Sequence, residues 1–298
     1  MRILMLGATG TIGRAAAAEL ARRGHAVLPL GREGIAALGR SGLPEGLDAV
    51  VSCMASRTGA PQDAWAVDHA AHAAVLRAAV AAGVPRWVQL SAICVQKPML
   101  AFQQAKLAFE AELAAAPLAW TVVRPTAFFK SLSGQVARVA AGRPFLVFGD
   151  GRLTACKPIS DADLARFLAD ALTDPATHGR ILPVGGPGPA ITPLDQVAML
   201  ARLLGRPVPV RRVPLALMGA IIGGLSAAGL VSARAREKAE LARIGRYYAA
   251  ESMLVWDAEA GRYDADATPE FGTDRLEGHY AALLSGRVAD DRGAHAVF

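Results

Sequence analysis

The stretch Gly7-Ala-Thr-Gly10-Thr-Ile-Gly13 decides how this chain is read, because it lies between an apolar run, Arg2–Leu6, and an alanine-rich amphipathic run, Ile12–Arg23. Glycine answers a different need at each place: a tight turn off the strand, a backbone that a pyrophosphate can approach, and close packing of helix on strand. The helix start then presents unsatisfied N–H groups and the positive end of its dipole to a phosphate. Thr9, Thr11, Ile12 and Arg14 fall in the same turn and join the glycines as expected cofactor-binding residues. Three glycines alone are a weak signal, and the strand-turn-helix context makes them a dinucleotide site.

The same alternation continues outward. Ala26–Leu30, Asp48–Cys53, Arg86–Leu90 and Leu118–Val123 read as strands, and Ala64–Ala82 and Leu100–Ala115 read as helices between them. Strands alternating with helices of this length predict βαβ units and a parallel sheet. The expected class is therefore α/β, a Rossmann-type doubly wound parallel sheet with a smaller, irregular C-terminal substrate-binding region. Residues 1–127 are the expected cofactor core and 128–285 the substrate region, with 153–185 returning strand and helix to the core. Residues 286–298 are expected to be a disordered tail. Within the second half, Thr192, Pro193 and Asp195 mark a helix start: a capping hydroxyl, proline at the first helical place and an acid at the third.

Cofactor choice is read where the second strand ends, Leu30-Gly31-Arg32. An acid usually sits there to take the ribose hydroxyls of NAD; a guanidinium in its place suits the extra phosphate of NADP, with Arg14 near enough in sequence to assist. The cofactor expected is NADPH, against the alternative that both arginines are solvated surface.

The chain has 298 residues, 53% of them hydrophobic and 19% charged, which places it among globular proteins. Its formal charge of +6 comes from scattered arginines without a basic-aromatic motif, so no nucleic-acid partner is expected. Three widely spaced cysteines, Cys53, Cys94 and Cys156, form no CxxC and indicate neither a disulfide framework nor a cluster site. No leader segment is read before Arg2, so a cytoplasmic location is expected. Val213–Val231 runs nineteen residues without a charge between Arg211, Arg212 and Arg234, Arg236, diluted by Pro214 and several glycines. It reads as a membrane span, as a buried helix, or as a helix that lines an apolar pocket or touches a membrane surface peripherally.

Ser91 follows the strand Arg86–Leu90, and Lys106 lies on the next helix, four residues after Phe102. This arrangement is similar to the short-chain dehydrogenase/reductase superfamily, in which a serine precedes a Tyr-x-x-x-Lys pair. Phenylalanine stands here at the tyrosine's place and cannot donate a proton, which marks an atypical member. Six blocks are more specific still: Ser91–Pro98, Arg124–Gln135, Phe145–Asp161, Gly185–Pro193, Lys238–Asp257 and Gly261–Gly272. In this order they closely resemble the NADPH-dependent divinyl chlorophyllide a 8-vinyl reductases of chlorophyll and bacteriochlorophyll synthesis. The likeness extends from about residue 2 to about residue 285.

The resemblance implies reduction of the 8-vinyl group of a 3,8-divinyl chlorophyllide or protochlorophyllide to ethyl. Lys106 is then expected to anchor the nicotinamide ribose and Ser91 to lie beside the nicotinamide or the substrate. Pro125, Thr126 and Phe128 complete the expected cofactor set. Cys94, Lys97, Phe128, Phe129, Lys130 and Lys157 are the expected substrate residues, with Lys130 or Lys157 holding a propionate carboxylate. Tyr247 and Tyr248 are carried as catalytic proton donors, against the alternative of packed aromatics; Lys97, Lys157 and Cys94 are further candidates. The six histidines, His25, His69, His72, His178, His279 and His295, read as ordinary helix and loop residues. No protein metal site is expected, since magnesium belongs to the tetrapyrrole substrate, and no obligate protein partner is inferred. Two rival readings stay open: a non-catalytic NADP-binding regulator or assembly factor, and a reductase of another conjugated double bond.

Overall fold

A computed structural model of the chain describes residues 1–289. In chain order the first elements are β1 (Arg2–Leu6), α1 (Thr11–Arg22), β2 (Ala26–Leu30), α2 (Arg32–Ser41), β3 (Ala49–Ser52), α3 (Pro61–Ala64) and α4 (His72–Ala81). They continue with β4 (Arg86–Leu90), α5 (Ala101–Ala114), β5 (Ala119–Pro125), α6 (Phe129–Leu132), α7 (Val136–Ala140), β6 (Phe145–Phe148), α8 (Asp161–Thr173) and β7 (Arg180–Val184). The remainder is α9 (Pro193–Leu204), β8 (Val210–Val213), α10 (Leu215–Ala228), α11 (Ala233–Ala250), β9 (Val255–Asp257), β10 (Arg262–Asp264) and α12 (Leu276–Leu284).

Two compact units share these elements: residues 1–56, 61–125 and 161–184 form the first, and residues 57–60, 126–160 and the described residues from 185 onward the second. The first unit holds a six-stranded sheet in the order β2-β1-β3-β4-β5-β7. Every neighbouring pair in it is parallel. Chain order reverses between β1 and β3, and the glycine turn leaves the carboxyl end of β1 at that switch, where doubly wound sheets take their ligands.

Both faces of this sheet are covered, so its inner strands are buried along nearly their whole length instead of alternating. Leu4, Leu6, Val50, Trp87 and Val122 point to one face and pack with Val75, Leu76, Phe109 and Leu113 of α4 and α5. Ile3, Met5, Val51, Val88 and Val123, one residue out of step, are equally buried toward the opposite face. Each fully buried side chain of this kind stabilises the fold by roughly 1.5–3 kcal/mol.

Arg86 is buried at the edge of this core and, among the described residues, has no carboxylate partner, which is unusual for a cation. Its guanidinium instead donates to the carbonyls of Ala119 (3.0 Å) and Ala171 (2.5 Å) and to the hydroxyls of Thr121 (2.7 Å) and Thr177 (3.0 Å). Burial pushes its pKa down to about 10.

The second unit holds two small sheets, parallel β6-β8 and antiparallel β9-β10, with short helices around them. Thr192 caps α9 as its sequence requires, and Asp195 returns the bond to the Thr192 N–H at 2.8 Å.

Three expectations change. The helix expected over Ala64–Ala82 is interrupted: a seven-residue π-helical stretch, Trp65–Ala71, separates α3 from α4. Within it the Val67 carbonyl accepts the ring Nδ1–H of His72, an interaction that apolar periodicity does not encode. Val213–Val231 is neither a buried helix nor a span, for α10 buries none of its residues and, among the described residues, no helix is long and apolar enough to cross a membrane. Of the expected tail, Arg287 and Val288 donate to the Ala282 carbonyl, while residues 290–298, His295 included, lie outside the described residues.

Candidate active site

Gly7 adopts a φ of 73°, and a Cβ there would lie 2.6 Å from the Met54 nitrogen. A Cβ on Gly13 would lie 1.9 Å from the Gly7 carbonyl oxygen, so both positions exclude any side chain by contact with backbone. Gly10 differs: its Cβ would meet only the Gly7 oxygen, at 3.4 Å, which leaves open space on its outer side. Gly10 is also the cap of α1, has no side-chain capping bond, and no acid occupies the first turn. Donor groups at the N-terminus of α1 therefore face a clear approach, and the cradle fits a dinucleotide pyrophosphate.

Thr9 and Arg14 are exposed beside the cradle, with the Arg14 guanidinium donating to the Thr9 carbonyl at 2.6 Å; Ile12 is buried and Thr11 half-buried. Arg32 opens α2 behind Gly31 and is exposed.

On α5 one stripe of residues four apart carries Phe102, Lys106 and Glu110. Phe102 is buried, so no hydroxyl stands at that place. The Lys106 ammonium donates to Asp68 Oδ1 at 2.9 Å. Asp68 lies in the π-helical stretch, is buried, and also accepts the backbone N–H of Ser56 at 3.2 Å. Its second oxygen, Oδ2, is buried with no hydrogen-bond partner among the described residues. π-Helical turns are often found at functional sites, and a buried orphan acceptor costs about 1–3 kcal/mol unless something meets it.

Glu110 closes the stripe. It accepts the Ser91 hydroxyl at 2.5 Å and pairs with the Arg124 guanidinium at the end of β5. Ser91 is thus brought to α5 through Glu110. Its hydroxyl hydrogen is committed to that carboxylate, leaving its oxygen lone pairs to accept.

Behind α5, His72 is fully buried between Ser52 Oγ (2.7 Å) and the Val67 carbonyl (2.9 Å). Burial, reinforced by the Lys106 charge, lowers its pKa to about 4. The neutral ring then accepts from Ser52 at Nε2 and donates from Nδ1, a tautomer fixed by the Val67 carbonyl. His72 is therefore a hydrogen-bonding centre of the unit and not an ordinary helix residue.

The other expected residues of the first unit are Pro125, paired in register with Val184, and Cys94 and Lys97, in and just beyond the turn Ile93–Gln96. Gln103 pins that turn, donating to the Cys94 carbonyl at 3.0 Å and accepting the N–H groups of Met99 and Leu100.

In the second unit, Thr126 donates to the Lys157 carbonyl at 2.5 Å, and Phe129 N–H donates to the Ile159 carbonyl at 3.2 Å. Thr126, Phe128 and Phe129 are thereby stitched to Lys157–Ile159, with a bridge between Phe128 and Ile159. Lys157 is neither a surface lysine nor a free cation: it is buried, and its ammonium donates to Glu270 (2.8 Å) and to the Thr268 carbonyl (3.2 Å). The Gly188 N–H and Lys157 hold the Glu270 carboxyl below the usual range. Lys130 is half-buried on α6, and Phe129 packs against the His279 ring at 5.6 Å. On α11, Tyr247 is buried, Tyr248 half-buried, and their rings meet edge-on at 5.6 Å.

Sequence reading missed Asp68, Glu110, Arg124 and His72. Glu110 carried a usable signal, four residues after Lys106 on a helix face that must be buried. Asp68 carried none, because its partner lies 38 residues away.

Comparison with known proteins bears on the whole chain. A family model described as NAD(P)H-binding matches residues 42–175. The structure is similar to the NADPH-dependent quinone oxidoreductase QOR2 of Escherichia coli, with a TM-score of 0.62 over 96% of this chain and 99% of that one at 17% identity, a likeness of fold. The chain is 44% identical to the chloroplastic divinyl chlorophyllide a 8-vinyl-reductase of Oryza sativa subsp. indica, covering 99% of this chain and 82% of that protein. It is 41% identical to the protein of the same description from Arabidopsis thaliana, covering 95% and 77%. Identity of this extent across both units means that the chain belongs to the divinyl chlorophyllide a 8-vinyl-reductase family.

Proposed function

We propose that this protein reduces the 8-vinyl group of a 3,8-divinyl chlorophyllide or protochlorophyllide to ethyl, with NADPH as the reductant. The observation that carries the reading is the 44% identity over 99% of the chain, which takes in the substrate half as well as the cofactor half. A regulator that had kept only cofactor binding would need no such likeness beyond residue 126.

NADPH, when bound, supplies the hydride. The cradle at Gly7, Gly10 and Gly13 takes its pyrophosphate, and Arg32 with Arg14 takes the additional phosphate. Lys106, held by Asp68, would bond the nicotinamide ribose, and Ser91, held by Glu110, would offer acceptor lone pairs to the nicotinamide or the substrate. A vinyl group conjugated to the macrocycle accepts hydride at one carbon because the charge spreads into the ring, so the chain's task is alignment, water exclusion and delivery of one proton. With Phe102 at the tyrosine's place, Tyr247 and Tyr248 are the proposed donors. Phe128, Phe129, Cys94, Lys97 and Lys130 are the proposed pigment contacts. Lys157 serves the pigment carboxylate only by exchanging Glu270 for it. Peripheral contact with a photosynthetic membrane completes the reading.

The test is incubation of purified protein with divinyl chlorophyllide and NADPH, following the Soret band and the chromatographic mobility of the pigment. Conversion to the 8-ethyl pigment is expected, with Lys106→Met weakening NADPH binding and turnover about tenfold or more. Equal rates with NADH would overturn the roles of Arg32 and Arg14, and an unchanged pigment would overturn the activity.

A further inference from the structure

We propose that the hairpin of α10 and α11 docks the protein onto a bilayer bearing anionic lipids, with α10 lying in the plane of the interface. This rests on the peripheral-membrane reading above and names the surface that makes the contact.

The helix α10 reads Leu215-ALMGAIIGGLSA-Ala228, without one charged residue. It packs along α11, yet none of its residues is buried. Leu217 (52% exposed) and Ile221 (49%) lie one turn apart on the same face. Leu230 (84%) and Val231 (92%), in the turn that follows, are the most exposed large apolar side chains among the described residues.

The turn is built tightly. A Cβ on Gly229 would lie 3.1 Å from the Ser226 carbonyl oxygen and 3.3 Å from the Arg236 Cα. Arg236 donates to the Gly229 carbonyl at 3.2 Å, and Arg243 to Ser226 Oγ at 2.8 Å. The apolar tip is therefore presented on a fastened hairpin.

Charge selects the occupant. Arg211 and Arg212 are exposed just before α10, and Arg234, Arg236 and Lys238 are exposed just after its turn, against one exposed acid, Glu237. Cations at both ends of an uncharged helix suit anionic head groups around an inserted apolar face. Fourteen residues rise about 21 Å, short of the roughly 30 Å hydrocarbon core, so α10 lies in the interface and does not cross.

The experiment is flotation of the full chain with vesicles of phosphatidylcholine, alone or mixed with phosphatidylglycerol. Wild type is expected to float with the mixed vesicles about tenfold better than with the neutral ones, and less well in high salt. The pair Leu230→Asp/Val231→Asp is expected to lose about tenfold or more in partition, while reducing detergent-dispersed pigment as wild type does. The set Arg211→Gln/Arg212→Gln/Arg234→Gln is expected to lose the preference for the anionic lipid. Failure of wild type to distinguish the vesicles, or undiminished flotation of the aspartate pair, overturns the proposal. So does a raised KM of that pair for pigment without lipid, which would make the hairpin a pigment cover, or a dimer that the same pair dissociates, which would make the occupant a second copy. Failure of the pigment assay in wild type alone would strike the proposed activity and leave the flotation result standing.

Discussion

The two units satisfy their buried backbone by different means. In the first, five parallel pairings take up the amide groups of the strands, and side-chain bonds to backbone gather at a few buried residues such as Arg86 and His72. In the second, side chains do much of that work. Gln135 bonds both backbone groups of Leu146, and Arg138 and Arg206 take the carbonyls of Pro144 and Val139. Tyr280 takes the Leu132 carbonyl. Buried polar groups must be paired, and a unit with short sheets must pair them one side chain at a time. The regular unit therefore tolerates apolar exchange within its strands, whereas the irregular one depends on individual polar residues.

Two glycines give the sharpest test of that difference, because their geometry is alike. A Cβ on Gly13 would lie 1.9 Å from the Gly7 oxygen, and one on Gly186 would lie 1.9 Å from the Pro158 oxygen. Each alanine variant is expected to lose about 2–3 kcal/mol in denaturant unfolding, since backbone must move. Gly13→Ala is expected to lose NADPH binding about 100-fold or more as well, measured by fluorescence titration, because the cradle itself is displaced. Comparable loss of NADPH binding in Gly186→Ala would mean that Thr126 and Phe128, stitched to Lys157–Ile159, hold the cofactor as strongly as the glycine cradle does.

Two buried cations come next. Arg86→Met leaves four carbonyls and two threonine hydroxyls of the first unit without this donor, and is expected to cost about 3 kcal/mol in urea unfolding. Lys157→Met leaves Glu270, whose side chain is 44% exposed and open to water, and is expected to cost about 1 kcal/mol. The reverse order would show that the second unit relies on its ion pair more than on its backbone staples.

The last effect is one of pH, and near neutrality it vanishes. His72 titrates at about 4 in the folded protein against 6.5 when unfolded, so on acidification the unfolded chain takes up this proton first. Stability is thus full above about 6.5 and falls as pH drops toward 4, by at most about 3 kcal/mol for this group. His72→Gln is expected to flatten that part of the stability-pH curve in thermal melts; an unaltered slope would remove His72 from the acid response.

Much of the first unit was legible in the sequence. β1, β2 and β4 keep the bounds read from sequence; β1 is a run of apolar residues buried after Arg2, whereas β2, at the edge of the sheet, has no buried residue and β4 carries Arg86 and Gln89 among its apolar residues. The glycine turn was legible because its requirement is local and steric. The π-helical stretch was not, since a ring hydrogen bond from His72 to Val67 leaves no periodic trace. Val213–Val231 showed its apolar character and its arginine flanks, but composition left open whether protein or something else covers it.

The sequence by itself determined the alternation of strands and helices, the glycine turn after β1 and the absence of a phenol at Phe102, because each depends on residues close together in the chain. Only tertiary structure decided that Lys106 is held by Asp68, that Ser91 gives its hydrogen to Glu110, that Lys157 is spoken for by Glu270, and that α10 is left uncovered. Burial and charge pairing join positions far apart in sequence, and a buried charge finds its partner through the fold and not through its neighbours.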